Sequence, residues 1–338
     1  MMVRKVVHPA LGAFAVAAVL PLLFPAGGAV LDNLVLAAAY VGMALGLNVI
    51  AGFAGLLDLG YVAFFAIGAY TAAAFGSDFW GVHLDSVAVL ALAAATTALA
   101  GVLIGVPTLR LRGDYIAIVT LAFGEIVGTV VANGNQIHLF GGTLTAGPKG
   151  ITPIDKLDLP LLEPFGAIDL RPWYWLALAL MALALGVSVR LRDSRLGRAW
   201  TALREDEVTA ASLGIPLVRT KLTAYATGAA FGGVSGAFLA SYLNTVDPHQ
   251  FQYSFSIFVF AMVVIGGLGS VWGVVLGALA LSALNNWVLP DVLGGLPQKL
   301  GLDFDLAQVS SGVYGLLLVV LVLLRPQGLL PRRTRYVR

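Results

Sequence analysis

The chain has 338 residues, 59% of them hydrophobic and only 11% charged, with a mean hydropathy of +0.90. Soluble domains carry about a quarter charged residues, so this composition excludes an ordinary soluble protein and indicates an integral membrane one. The formal net charge is +2 and the Arg residues sit in short connections, which excludes a basic nucleic-acid-binding face, while zero Cys excludes a disulfide framework or a thiolate metal site.

A helix needs ~20 mainly apolar residues to cross ~30 Å of hydrocarbon, so a chain of this length has room for about ten spans. In chain order the apolar runs lie near residues 9–26, 31–51, 53–75, 86–106, 114–133, 172–190, 222–243, 254–267, 270–289 and 309–324. The first has Arg4 and Lys5 before it and small residues after it, which is also the pattern of a signal peptide. It is read as a retained span because the charge alternation of the remaining chain requires a crossing there. Basic residues cluster at Arg4 and Lys5, at Arg110 and Arg112, at seven positions from Arg190 to Lys221, and at five from Arg325 to Arg338. Connections 27–30, 76–85 and 244–253 have no Lys or Arg. Since Lys and Arg mark the cytoplasmic side, ten spans place all four clusters and both termini there.

The expected fold is therefore an all-α, polytopic integral membrane helical bundle: one transmembrane domain over 1–338, an external loop at 134–171 and a cytoplasmic segment at 191–221. Gly52, Gly55, Gly60 and Gly68 interrupt the third run, and Gly266 with Gly267 interrupts the eighth. Glycine is costly inside a helix, so broken helices are expected at both places, and the short 254–267 run is alternatively re-entrant. Both breaks follow a Val-Ile pair, Val49-Ile50 and Val264-Ile265, a faint sign of two related halves. The loop 134–171, with Pro148, Pro153, Pro160 and Pro164, is expected to be ordered.

Several chemistries have no motif here. No lysine is preceded by Gly and followed by Ser or Thr, so there is no P-loop, and the chain is not expected to hydrolyse ATP. His8, His83, His138 and His249 are scattered without metal-ligand spacing, so neither a metal nor a cofactor is expected. "GGVSGA" at 232–237 lacks the final Gly of a nucleophile elbow and suits close helix packing instead.

Glu125 lies 11 residues after Asp114, ~16 Å along a helix and hence near mid-membrane. Ionisable groups there face the bundle interior and often mark a pathway. The functional reading lines a route with Asn48, Asp58, Tyr61, Phe64, Phe65, Thr120 and Glu125; the alternative makes Glu125 a hydrogen-bonded or protonated glue between helices. Asn285 and Asn286, near a span end, read more readily as such glue.

The stretch "GRAWTALREDEVTAASLGI", 197–215, is unusually charged for this chain. Asp193 or Ser194 caps its start and Gly214 followed by Pro216 ends it, predicting one helix of about five turns. Leu196, Trp200 and Leu203 form a short apolar face beside Arg204, Glu205, Asp206 and Glu207. A plain solvated loop would not require so cleanly bounded a helix.

With "KLTAYATGAAFGGVSGAFLA" following it, this stretch resembles the signature region of permease subunits of branched-chain amino acid ABC importers, of the LivM type. In order, "GLLDLGYVAFFAIGAYTAA", "PTLRLRGDYIAIVTLAFGEIV", "TAGPKGI", "FSIFVFAMVVIGGLGSVWGVVLGA" and "RPQGLLP" extend the resemblance from about Gly46 to Pro331. The resemblance implies an inner-membrane transport subunit that is not itself an enzyme. It also implies pairing with a second related permease, two cytoplasmic ATPases and a periplasmic amino-acid-binding protein. By position in the motif, Gly197, Arg198, Arg204, Glu205, Asp206, Glu207 and Gly214 are assigned to docking the ATPase. The flanks of "TAGPKGI" and the first 30 or so residues depart from the family pattern. Two rival readings stand beside it: a sister importer for urea, amides or aromatic acids, differing mainly in its binding protein, and a proton-coupled carrier working alone and sensitive to Glu125→Gln.

Overall fold

A computed structural model describes residues 14, 16–111, 113–139, 142–157, 165–166 and 169–292, with scattered positions from 312 to 330. The predicted last span, 309–324, is therefore described only at scattered positions, and the first, 9–26, mainly from residue 16 on, where it ends in a short 3-10 turn, Leu20–Leu22. The described chain is helical, apart from two short hairpins and the connections. Helix α1, Ala29–Leu47, runs into a π-helical turn, Asn48–Phe53; α2 is Val62–Phe75, α3 Ser86–Thr108, α4 Asp114–Ala132 and α5 Arg171–Asp193. Two short helices follow, α6 (Arg195–Glu205) and α7 (Glu207–Ser212), and then α8 (Leu217–Leu243), α9 (Tyr253–Gly266) and α10 (Val271–Ala283). Among the described residues five helical segments are long and apolar enough to cross a membrane, and α2 and α9 are shorter apolar helices. The protein is a multi-pass helical membrane protein.

Burial sorts these helices. In the most apolar 18-residue stretch of Ala29–Phe53, 83% of residues are buried and no polar face runs along it, whereas in that of α4 only 17% are buried, so α4 lies at the periphery of the chain. A helix without a polar face belongs in a bundle centre or in lipid, and α1 takes the centre, packed against α5, α8 and α10. Helix α8 spans 27 residues but is rich in Gly, Ala, Ser and Thr, so hydropathy alone does not single it out. It needs no lipid-facing apolar stripe because α1, α2 and α3 surround it. Small residues let helix backbones approach closely where no water drives association. At the α2–α8 crossing a Cβ on Gly68 would lie 2.6 Å from the Gly233 carbonyl carbon.

One face of the bundle carries the α5–α8 connection with its basic residues. The opposite face is a tied cap. Strands Gly76–Ser77 and Val82–His83 pair antiparallel, and Asp155 N–H donates to the Gly76 carbonyl at 2.6 Å. Ile151 pairs with Val246 through two backbone bonds of 2.9 and 3.1 Å. Asn244, in the left-handed region at φ 57°, ends α8 and accepts Ile154 N–H on its side-chain oxygen at 3.0 Å. The described part of the 134–171 loop is thus ordered. His83 lies between Asp155, at 2.5 Å from Nδ1, and Asp78, at 3.1 Å from Nε2. The bond to Asp155, and next that to Asp78, raises the imidazole pKa above 6.5.

Two predictions follow from this packing. Gly68→Ala should overpack the α2–α8 crossing and cost about 1–3 kcal/mol, read as a lowered thermal midpoint of the detergent-solubilised chain. Gly186→Ala, with open space around the new methyl inside α5, should not lower the midpoint and should raise it slightly. For His83, a raised folded-state pKa means that its contribution is complete below pH 6.5 and is lost as pH rises through the raised value. A histidine NMR titration should give a midpoint above 6.5 that Asp155→Asn moves back toward 6.5; an unmoved midpoint would mean that the clasp does not form.

Candidate functional site

The charged stretch folds as a hook on the basic face. Ser194 begins it, its Oγ accepting the Gly197 N–H at 3.1 Å. Helix α6 is amphipathic: Trp200 and Leu203 are buried, and Trp200 Nε1 donates to the Thr220 carbonyl at 2.9 Å. The single five-turn helix expected here is instead two. Asp206 is extended (φ −159°, ψ 116°), and its carboxylate accepts the Thr209 N–H at 2.7 Å. Asp bonds nearby backbone amides more readily than it continues a helix, so it stops α6 and caps α7. Gly214 at φ +80° then makes the turn into α8.

Several residues assigned to docking have internal partners. Glu207 pairs with Lys221 at 2.7 Å, neutralising a lysine that is 2% exposed. Arg198 donates to the Asp193 carbonyl at 3.1 Å. Gly197 packs so closely on the Leu191–Arg192 backbone that a side chain has no room. Glu205 and Asp206 are exposed, and so are Val208 (63%), Leu213 (75%) and Leu196 (44%). The sequence reading placed Leu196 on the inner apolar face and passed over Val208 and Leu213. Their signal was an apolar side chain among polar neighbours on a short surface helix.

Arg204 links the hook to the bundle. Its Nη1 donates to the Gly52 carbonyl at 2.5 Å. Carbonyls at a helix C-terminus lack intrahelical donors, and a cation there also meets the negative end of the helix dipole. Gly55, at φ +73°, lies flat against the same side chain; a Cβ there would sit 2.6 Å from Arg204 Cγ. Nearby, buried Asn48 accepts the Gly269 N–H at 2.8 Å, joining this break to the turn between α9 and α10. The two predicted Gly breaks therefore meet.

From Ala54 to Tyr61 the chain is not helical, although it runs inside the bundle. Side chains from two helices and from the segment itself bond its backbone. Leu59 N–H donates to Thr120 Oγ1 at 3.1 Å, and the Leu59 carbonyl accepts Ser256 Oγ–H at 2.6 Å. Asp58 turns back on the Gly60 N–H at 2.9 Å, and Tyr61 O–H reaches the Gly228 carbonyl at 2.8 Å. Gly60 lies directly on α4, where a Cβ would be 2.6 Å from the Thr120 carbonyl carbon. Phe64 and Phe65 pack beside it, Phe65 against Phe251 and Phe255 at ring distances of 5.3 and 5.5 Å.

The seven residues proposed to line a route thus separate. Asn48, Asp58, Tyr61, Phe64, Phe65 and Thr120 are each no more than 5% exposed and build the broken-helix region. Glu125 is exposed and borders a hollow of about 310 Å³ between α4 and Pro248–Tyr253. Leu59 and Val62, from the irregular segment and the start of α2, form part of its wall.

Residues 29–322 match the family described as "Branched-chain amino acid transport system / permease component". The chain is 40% identical over 316 residues to the high-affinity branched-chain amino acid transport system permease protein LivM of Salmonella typhimurium, covering 86% of this chain and 68% of that protein. LivM of Escherichia coli is also 40% identical, over 89% of this chain and 69% of its own length. LivH of Escherichia coli, a permease protein of the same system, is 29% identical over 47% of this chain and 46% of its own. No solved structure matches the chain.

The hook geometry predicts that Arg204→Ala leaves the Gly52 carbonyl short of a charged donor, at a cost of about 1.5–3 kcal/mol. Amide hydrogen exchange over 195–205 should speed up while α1 stays protected. Exchange indistinguishable from the parent chain would mean that this bond does not hold the hook.

Proposed function

The chain belongs to the permease family of branched-chain amino acid transport systems, and from that premise we propose how it works as a membrane subunit of an ATP-binding-cassette importer. In this reading it forms half of the pathway for leucine, isoleucine or valine in the cytoplasmic membrane, with both termini and the hook in the cytoplasm. A second related permease completes the pathway, two ATPases supply the energy, and an amino-acid-binding protein delivers substrate to the opposite face. The chain itself carries no hydrolytic chemistry.

One observation supports the reading most: the hook is tied at its base to both helix breaks and free at its tip. Val208 and Leu213, exposed with Glu205 and Asp206 beside them, offer an apolar contact with a charged rim. Such a surface suits a groove on a partner better than water. When ATP closes the ATPase pair, the hook moves with it. Its inner end, held by Arg204 on Gly52 and packed on Gly55, carries that displacement to the 54–61 segment. Hinge-like segments of this kind convert a small shift into a change of state. In this reading Arg204, Glu207, Gly197 and Gly214 hold the hook's shape, and Glu205, Asp206, Val208 and Leu213 meet the ATPase.

The test is reconstitution of the complete complex in liposomes with ATP inside, measuring labelled leucine uptake with and without the binding protein. Uptake should require both. Val208→Asp with Leu213→Asp, removing a contact worth about 2 kcal/mol or more, should cut uptake at least tenfold at an undiminished amount of chain in the membrane. Leucine uptake by this chain alone, driven by a proton gradient, would overturn the proposal.

A further inference from the structure

The hollow beside Glu125 has the chemistry of a binding site. Glu125 lies near mid-depth on α4, the least buried of the five long spans, and makes no hydrogen bond or ion pair among the described residues. A carboxylate at that depth does not rest against hydrocarbon; such groups face a partner subunit or a wet cavity and mark substrate pathways. The cavity is present. Its volume of about 310 Å³ is at the small end for small-molecule sites. Leu59, Val62 and Phe251 supply apolar wall, while Glu125, His249 and Gln252 supply a carboxyl, an imidazole and an amide. A zwitterion with a branched apolar side chain needs that combination.

Two further observations point the same way. Gly124 and Gly128 follow Glu125's side of α4 and keep the hollow open; a Cβ added at Gly128 would have nothing within 4 Å. The wall is also connected to the hook. Leu59 belongs to the irregular segment from Ala54 to Tyr61, which includes Gly55, the glycine lying on Arg204. A movement of the hook therefore changes the hollow's shape without touching Glu125.

We propose that this hollow is a transient station for a free zwitterionic amino acid, with Glu125 receiving its ammonium group. The inference rests on the importer reading above and adds a place for the substrate. Branched-chain substrates fit through their apolar side chains, and a substrate without an ammonium group loses the Glu125 contact.

The experiment uses the complete reconstituted complex with its binding protein. The parent complex first has to show ATP-dependent leucine uptake; without it the importer reading itself fails, separately from this proposal. Given that uptake, Glu125→Gln should lower leucine moved per ATP hydrolysed about tenfold or more, the scale of one charge-assisted hydrogen bond. Gly128→Leu, whose Cβ would meet nothing within 4 Å, puts apolar bulk into the hollow and should block transport in the same way. Because the chain has no Cys, Thr129→Cys reports access directly. It should react with a membrane-impermeant thiol reagent, more slowly when leucine and the binding protein are present, while Leu103→Cys on the exposed side of α3 should not react. Normal leucine transport per ATP by Glu125→Gln overturns the proposal. If that variant fails to assemble, the thiol measurement decides: Thr129→Cys as inert as Leu103→Cys overturns it, and substrate-protected labelling supports it.

Discussion

Eight residues of non-helical backbone inside an apolar bundle are the constraint around which the rest of this protein is arranged. From Ala54 to Tyr61 the chain has no helical ladder, and apart from exposed Gly55 it is buried or half-buried, with little water to bond its amides and carbonyls. Unpaired backbone groups in hydrocarbon are tolerated only where protein buries and satisfies them. Thr120, Ser256 and Asp58 each bond Leu59 or Gly60, and Tyr61 anchors the far end on α8. The close crossing of Gly60 on α4 makes those short bonds possible. Asp58 and Thr120, which the linear reading offers as pathway residues, bond the irregular segment here.

The same constraint explains the hook's attachment. A helix interrupted at Gly52 leaves carbonyls without donors, and a guanidinium is well suited to them because it brings several N–H groups and a charge. Arg204 meets that need from a surface helix, so the basic face and the interrupted core share one bond. Asn48 joins the second break through Gly269. A displacement at the hook thus reaches two broken helices through two polar contacts, in a bundle whose other contacts are mostly apolar. Apolar helix contacts are numerous and close-packed, whereas a helix break is where a small rearrangement needs few contacts to change.

Charge within the hook is divided between two tasks. Glu207 and Lys221 form an internal pair, with the lysine nearly inaccessible to water. Burying that ammonium without a partner would be strongly unfavourable, so α7 is held against the start of α8. Asp206 spends its carboxylate on the cap of α7, and the Thr209 N–H holds its pKa below the usual carboxylate range. What remains outward is Glu205, part of Asp206 and two apolar side chains. The surface is thus less charged than the linear stretch suggests.

The sequence by itself determined the class, the long spans α1, α3, α4, α5 and α10, the breaks near Gly52 and Gly267, and the bounds of the hook at Ser194 and Gly214. Each of these depends on local chemistry: hydropathy over ~20 residues, the backbone freedom of Gly, and caps within a few positions. It did not determine that Asp206 would divide the hook, because a mid-stretch Asp only competes with a helix and the outcome depends on the Glu207–Lys221 pair across the turn. Nor did it separate Glu125 from Asn48, Asp58 and Thr120. Spans that are apolar on most sides have no periodicity to say which polar residue faces inward, and the partners that decide it are far apart in the chain. Leu59 and Thr120 are 61 residues apart, Gly52 and Arg204 are 152, and Asn48 and Gly269 are 221. Only the tertiary structure brings these pairs within 3.1 Å and leaves Glu125 bordering the hollow instead.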